Sequence, residues 1–433
     1  MPEFRMECFQ NPYLPRAGST LDAILTVNAA FGYPAPVATP LPSTRSSDQV
    51  PDVAEVIIID ASGSMDGAKM REAKLAATTA LVGLREGVRF AVVAGRGKAE
   101  MVFPANPELA VANPKTIAAA KSAVAKLRSG GGTSIGHWLH VATTILWYEK
   151  GVRHATLLTD GQNGEDRAVF LQAIENARGV FQCDCRGVGA DWSVEELRLI
   201  ADALLGTVDI IADPDGLAAD FAAITDRLMG RRSANVAIRV WTPKGVDVVS
   251  FKQVAPTVVD LGGASATQEA TTQDYPTGAW GDDTRDYHLR LALPSGDVGD
   301  EILAARVSLV VDEAVTASAL VRGIWTEDLE LSTRVNRQVE HYVGQSEMAQ
   351  AIQDGLAARR VGDLDTARQR LGTATSLAYS AGNDETLDLL ARVVDIEDAP
   401  SGRVRVKQNV TQVDEMTLDT RSTKTTRVKP GED

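Results

Sequence analysis

Residues 55–65 read Glu55-Val56-Ile57-Ile58-Ile59-Asp60-Ala61-Ser62-Gly63-Ser64-Met65. The four aliphatic residues Val56 to Ile59 form a short, unbroken apolar run, the pattern of a strand buried on both faces. It ends in a carboxylate, and the turn that follows carries hydroxyls at alternate positions, Ser62 and Ser64. Hard oxygen ligands are thereby expected at the C-terminal edge of a sheet. In open α/β folds that edge is where ligands bind.

Two later stretches repeat the theme. Gly130-Gly131-Gly132-Thr133-Ser134-Ile135 is a glycine-rich turn into a helix that the pattern carries through Tyr148. His154-Ala155-Thr156-Leu157-Leu158-Thr159-Asp160-Gly161 is a second apolar strand ending in a carboxylate. Between and after them, apolar strands alternate with amphipathic helices. Strands are expected near 89–93, 100–103, 180–188 and 207–211, and helices near 69–82, 114–127, 165–178, 193–204 and 214–229. Such alternation implies a mostly parallel sheet with helices on both faces.

Together, Asp-x-Ser-x-Ser after a buried strand, Gly-Gly-Thr some 70 residues on, and strand-Thr-Asp-Gly after that resemble the metal-ion-dependent adhesion site of von Willebrand factor type A domains. The resemblance covers roughly residues 52–230. It implies a Rossmann-like, doubly wound α/β fold and a site built from Asp60, Ser62, Ser64, Thr133 and Asp160. It further implies Mg²⁺, with Mn²⁺ or Ca²⁺ as alternatives. Mg²⁺ takes oxygen ligands at about 2.1 Å in octahedral geometry and keeps several waters. Three hydroxyls are neutral ligands, and in such families the two carboxylates lie on indirect or water-bridged positions. The ion then keeps positive charge toward solvent, and an open position takes an Asp or Glu from a protein partner. Gly63, Gly131, Gly132 and Gly161 are expected to let the three loops approach one another.

The same residues admit enzyme readings. A strand ending in Asp60 could supply the nucleophile of a metal-dependent hydrolase or phosphotransferase. Haloacid-dehalogenase-like enzymes place a second Asp two positions on, where this chain has Ser62. The glycine loop lacks the lysine of a phosphate-binding loop. Of the five histidines (His137, His140, His154, His288, His341), only His137 and His140 are close, with no acidic metal partner at suitable spacing. The reading is therefore non-enzymatic. A third reading, a regulatory subunit of an ATP-driven complex, rests on intracellular relatives, since the chain carries no ATPase motif.

Flanking sequence differs in texture. Residues 3–9 and 21–27 alternate apolar and polar, as do 236–241, 287–293, 304–311 and 317–322, the pattern of half-buried antiparallel strands. An N-terminal pair alone would be marginal. The expected organisation is thus a β-sandwich begun by residues 1–33, a Pro-rich linker at 34–51, a type A domain at 52–230, and the rest of the sandwich at 231–327. A Gly-, Thr- and Asp-rich run from Gly262 to Asp283 reads as a long loop. Residues 328–395 read as a tetratricopeptide-like helical hairpin with Gly-Asp and Gly-Asn turns. Residues 396–433, polar and without periodicity, read as a flexible tail.

That tail clusters Thr417, Thr420, Thr423, Thr425 and Thr426 among charges. Exposed, they would suit a Ser/Thr kinase, and once phosphorylated a forkhead-associated domain, because phosphate adds roughly −1.5 to −2 charge for an Arg cluster to read. The 433 residues carry a net charge of −14, with 44% hydrophobic and 24% charged residues. That balance argues against a nucleic-acid partner. No apolar stretch reaches the length of a membrane span. Three cysteines, Cys8, Cys183 and Cys185, and an N-terminus without the pattern of a secretory signal lead to the expectation of a reduced, cytoplasmic protein.

Overall fold

The computed structural model describes residues 3–16, 18–31, 52–262, 266–269, 271–425 and 427. The Pro-rich linker expected at 34–51 lies outside them. The chain opens with strands β1 (Glu3–Gln10), β2 (Tyr13–Pro15) and β3 (Thr20–Ala30). It is organised as two compact units. One comprises residues 31–235 and 278–282; the other comprises 2–30, 236–277 and 283–433.

The first unit is the α/β domain. It runs β4 (Val53–Asp60), α1 (Ala68–Gly83), β5 (Arg89–Gly95), β6 (Ala99–Phe103), β7 (Ala110–Val111), α2 (Pro114–Ala125), α3 (Ile135–Leu146), β8 (Val152–Thr159), α4 (Arg167–Ala177), β9 (Gln182–Val188), α5 (Val194–Ala203), β10 (Val208–Ile211) and α6 (Leu217–Met229). The sheet order is β10-β9-β8-β4-β5-β6, with β7 also on β5. Pairings among β10, β9, β8, β4 and β5 are parallel; β6 and β7 join β5 antiparallel. All eight residues of β4 are buried, as expected for a central strand covered on both faces. From β4 the chain goes to β5 on one side and later returns to β8 on the other. The crevice at such a reversal, beyond the carboxyl ends of the strands, is the preferred ligand position. Asp60 ends β4 and Asp160 directly follows β8.

The second unit continues with β11 (Ser233–Trp241), β12 (Asp247–Ala255), β13 (Val259–Asp260), β14 (Ala266–Glu269), β15 (Thr272–Trp280), β16 (Thr284–Ala292), β17 (Glu301–Val311) and β18 (Ala314–Thr326). One sheet has the order β1-β3-β16-β12-β13, the other β14-β15-β11-β17-β18-β2. They meet face to face where Phe251 packs on Tyr275 with ring centroids 4.6 Å apart. The expected loop from Gly262 to Asp283 is corrected: it contains β14 and β15. Tyr275, Thr277 and Ala279 are buried at alternate positions. Pro276, Gly278 and the threonines weakened that signal, because proline and glycine read as strand breakers.

Helices α7 (Leu329–Ser332), α8 (Arg337–Arg360), α9 (Leu364–Ser380) and α10 (Asp384–Val393) follow, then β19 (Val394–Asp398), β20 (Arg403–Val406) and α11 (Gln412–Arg421). Gly362, at φ 81°, closes α8, and the side chain of Asp363 caps α9. The flexible tail expected at 396–433 is therefore corrected. Residues 396–425 are largely structured, because a few well-placed apolar residues suffice. Val404 and Leu418 join Leu356, Leu371 and Leu390 in one buried cluster. Glu415 accepts from both Arg359 and Arg360, and Asp419 from Arg360.

The threonines change meaning with it. Thr417 and Thr420 are 5% and 1% exposed. Their hydroxyls donate to the carbonyls of Val413 and Met416 one turn back. Thr423 and Thr425 also donate, to the Thr420 and Val254 carbonyls, and Thr426 lies outside the described residues. Full-length folded protein treated with a Ser/Thr kinase is expected to stay unmodified at Thr417 and Thr420 by mass spectrometry. Labelling at those two positions without denaturant would contradict their burial.

Candidate metal centre

Three loops converge at the carboxyl edge of the parallel sheet. Register brings the first and third together, since Ile59 lies opposite Leu158 and so Asp60 beside Thr159. The second is tied in by backbone bonds: Gly130 N–H donates to the Ala61 carbonyl at 2.8 Å and Gly63 N–H to the Gly131 carbonyl at 3.0 Å. Gly164 N–H donates to the Thr133 carbonyl at 2.7 Å, which fastens the third loop to the second.

Asp60 and Asp160 are both fully buried. Asp60 accepts from the Ser62 N–H at 2.7 Å and from the Thr159 hydroxyl at 2.6 Å. Ser62 and Ser64 hydroxyls lie 2.9 Å apart, and the Ser64 hydroxyl donates to Asp160 Oδ1 at 2.6 Å. The other carboxylate oxygen, Oδ2, is 2.6 Å from Lys69 Nζ. A Cβ at Gly161 would lie 3.3 Å from Thr133 Oγ1 and 3.6 Å from Ser64 Oγ, which places those two hydroxyls around a common point. All five residues expected from the sequence thus belong to one cluster.

The donor set consists of oxygens only, as a hard divalent cation requires. Charge points the same way. Among the described residues, no cationic side chain lies within ion-pairing distance of Asp60, although its carboxylate is wholly buried. Burial raises the Asp60 carboxyl above its usual range, the hydrogen bonds from Thr159 and Ser62 lower it, and the charge of Asp160 adds to the rise. An isolated buried carboxylate is costly, and a cation among these oxygens would relieve that cost. No group of three or more His, Cys, Asp or Glu side chains suited to a metal occurs among the described residues, and this cluster pairs two carboxylates with three hydroxyls.

Glycine's part is narrower than its abundance implied. Gly131 takes φ +88°, a left-handed conformation that favours glycine, and Gly161 permits the close approach just described. A Cβ at Gly63 would make ordinary contact and one at Gly132 would meet open space.

Several supporting residues lie outside the five expected from the sequence. Thr159 orients Asp60. Asn163 accepts from the Ile135 N–H at 3.0 Å, and Glu165 accepts from the Gly136 N–H, so the third loop caps α3. Trp138 is fully buried and donates to the Arg96 carbonyl at 2.6 Å; its ring lies against Gly95, where a Cβ would come within 2.5 Å. His137 and His140 are exposed on α3. Cys183 and Cys185 are free, buried thiols with Sγ atoms 3.9 Å apart.

Residues 54–210 match the family model of the von Willebrand factor type A domain, and residues 376–422 match that of the von Willebrand factor type A C-terminal domain. A solved von Willebrand factor type A protein from Catenulispora acidiphila is 43% identical, with a TM-score of 0.91, over 99% of this chain and 98% of that one. The ArnB paralog VWA2 from Sulfolobus acidocaldarius shares the fold at 14% identity, with a TM-score of 0.56 over 98% of both chains. An uncharacterized protein of Synechocystis sp. is 28% identical over 213 residues, 47% of this chain and about half (49%) of that relative's length. In its parallel sheet, its convergent loops and its agreement along nearly the whole length with a solved member, the chain belongs to the von Willebrand factor type A family.

Proposed function

We propose that the chain is a non-enzymatic protein-interaction module that binds a partner through a divalent cation. Asp60, Ser62, Ser64, Thr133 and Asp160 would hold Mg²⁺, with Mn²⁺ or Ca²⁺ as alternatives. The ion would supply an open coordination position to an Asp or Glu of the partner. The observation that carries this reading is the convergence of three loops' oxygens on Asp60, a buried carboxylate with no cationic side chain in reach. The family is in general one of interaction modules.

The phosphotransferase reading has less support. Both Asp60 oxygens are engaged, by the Ser62 N–H and the Thr159 hydroxyl, and the residue is fully buried. A nucleophile needs an exposed, aligned oxygen. Ser62, where a general acid would stand, cannot titrate in that role. Thr417 and Thr420 are interior, which speaks against a forkhead-associated domain reading a phosphothreonine at either in the folded protein. A cytoplasmic setting belongs to the same proposal and rests on the sparse cysteines of the sequence.

Isothermal titration of the full chain with MgCl₂ and MnCl₂ is expected to show one site, tighter for Mn²⁺. A pull-down in Mg²⁺ should recover a protein that chelator releases. Absence of binding by either ion would overturn the proposal.

A further inference from the structure

Lys69 lies in the first turn of α1, directly after Gly67 and Ala68. A cation there is locally unfavourable, because the positive end of the helix dipole repels it. Its ammonium nevertheless reaches across to Asp160, 2.6 Å from Oδ2, with a side chain only 26% exposed. The other acid near it is Asp191, at 3.8 Å and 75% exposed, too solvated to hold it as firmly. Asp160 is thus engaged on both oxygens, Oδ1 by Ser64 and Oδ2 by Lys69.

We propose that Lys69 sets the net charge of the metal centre by permanently offsetting Asp160. This rests on the metal reading above. Two carboxylates alone would cancel a divalent ion and leave a neutral centre with little pull on an anionic partner. With the Lys69 ammonium fixed on Asp160, a loaded centre keeps one positive charge. The lysine therefore weakens the hold on the ion and strengthens the hold on the incoming carboxylate. Because Lys69 takes the oxygen that Ser64 does not, and the hydroxyls remain available to the ion, loading does not require the lysine to leave.

The test compares full-length wild type, Lys69→Met and Lys69→Arg. Mn²⁺ affinity is read by calorimetry, and acetate is then titrated onto the Mn²⁺-loaded proteins as a carboxylate probe. Lys69→Met should bind Mn²⁺ about tenfold tighter or more, as expected for one unscreened charge near the ion. It should bind acetate more weakly, and Lys69→Arg should stay within about threefold of wild type in both. Without metal, Lys69→Met should melt earlier than wild type and gain more from added Mn²⁺. Should Lys69→Met fail to fold, Lys69→Gln keeps a donor to Asp160 and gives the same comparison. Mn²⁺ binding that is equal or weaker in the neutral variant overturns the role of Lys69 while leaving the metal reading intact. No Mn²⁺ binding in any of the proteins, wild type included, overturns both.

Discussion

Asp60→Asn is expected to lower Mn²⁺ and Mg²⁺ affinity by at least about a hundredfold, while the metal-free protein keeps or gains stability. The two effects have opposite signs for one reason. In wild type the carboxylate is buried against Ser62 and Thr159 with no side-chain cation in reach, so without an ion its charge is a cost. With the ion bound, the same charge is an attraction. Unit charges about 4 Å apart interact by about 4 kcal/mol at an effective dielectric of 20. Against a divalent ion, a hundredfold loss, about 2.7 kcal/mol, is a conservative expectation. Asparagine is isosteric: its carbonyl can accept from the Ser62 N–H while its amide donates to the Thr159 oxygen, so the loop should keep its shape. Calorimetry measures the affinity and chemical denaturation the stability. Unchanged Mn²⁺ affinity in Asp60→Asn would place the ion, if any, elsewhere.

The second large effect lies toward the other end of the same sheet. His154 on β8 is buried between two carboxylates, Glu55 Oε2 at 2.6 Å and Asp184 Oδ2 at 3.3 Å. Thr156 donates to Glu55, and the Thr207 hydroxyl and N–H both donate to Asp184. Burial alone would lower the imidazole, but the charges and hydrogen bonds of Glu55 and Asp184 outweigh it and push His154 up to about 10. Burial would raise Asp184; the hydrogen bond and charge of His154, with the charge of Arg186, instead hold it far below the usual carboxylate range. The imidazolium is thus the counter-cation of two acids in the interior. His154→Gln leaves those acids without it, and removing one partner of a buried ion pair typically costs about 3–5 kcal/mol.

The pH dependence has a definite sign. A histidine whose folded value lies above its unfolded value of about 6.5 binds more protons when folded. Its contribution is fully present below about pH 6.5 and is lost as the pH rises through about 10. Asp184 shifts the opposite way, so its contribution is present above about 3.9 and is lost as the pH falls. Urea unfolding of wild type and His154→Gln should therefore differ most near pH 5–6.5 and converge toward pH 10. A difference that stays constant from pH 6 to 10 would show that His154 is neutral in the folded protein.

Much of the first unit was legible because its signals are local. An unbroken apolar run such as Val56–Ile59 has few alternatives to a buried strand, and Asp60, Ser62, Ser64, Thr133 and Asp160 follow such runs or glycine turns directly. The helical hairpin was legible for the same reason: Gly362 and Asp363 punctuate it within two residues. Where the determining contact is long-range, the sequence was silent or misleading. Thr417 and Thr420 read as exposed because their neighbours are charged, yet α11 lies against α8 through Arg359, Arg360 and Leu418. Strand β15 was hidden by Pro276 and Gly278, and only its partners β11 and β14 reveal it.

The candidate site divides along the same line. Sequence alone indicated which oxygens are offered, because each of these side chains is fixed to the end of its own strand or loop. Tertiary structure decided their charge: that Asp60 is buried without a cation, that Lys69 crosses 91 positions to meet Asp160, and that His154 is held between Glu55 and Asp184. Hydroxyl and carboxylate types can be read from residues one at a time. Net charge at a buried point depends on which distant side chains the fold brings within about 4 Å, where the low interior dielectric makes each one count.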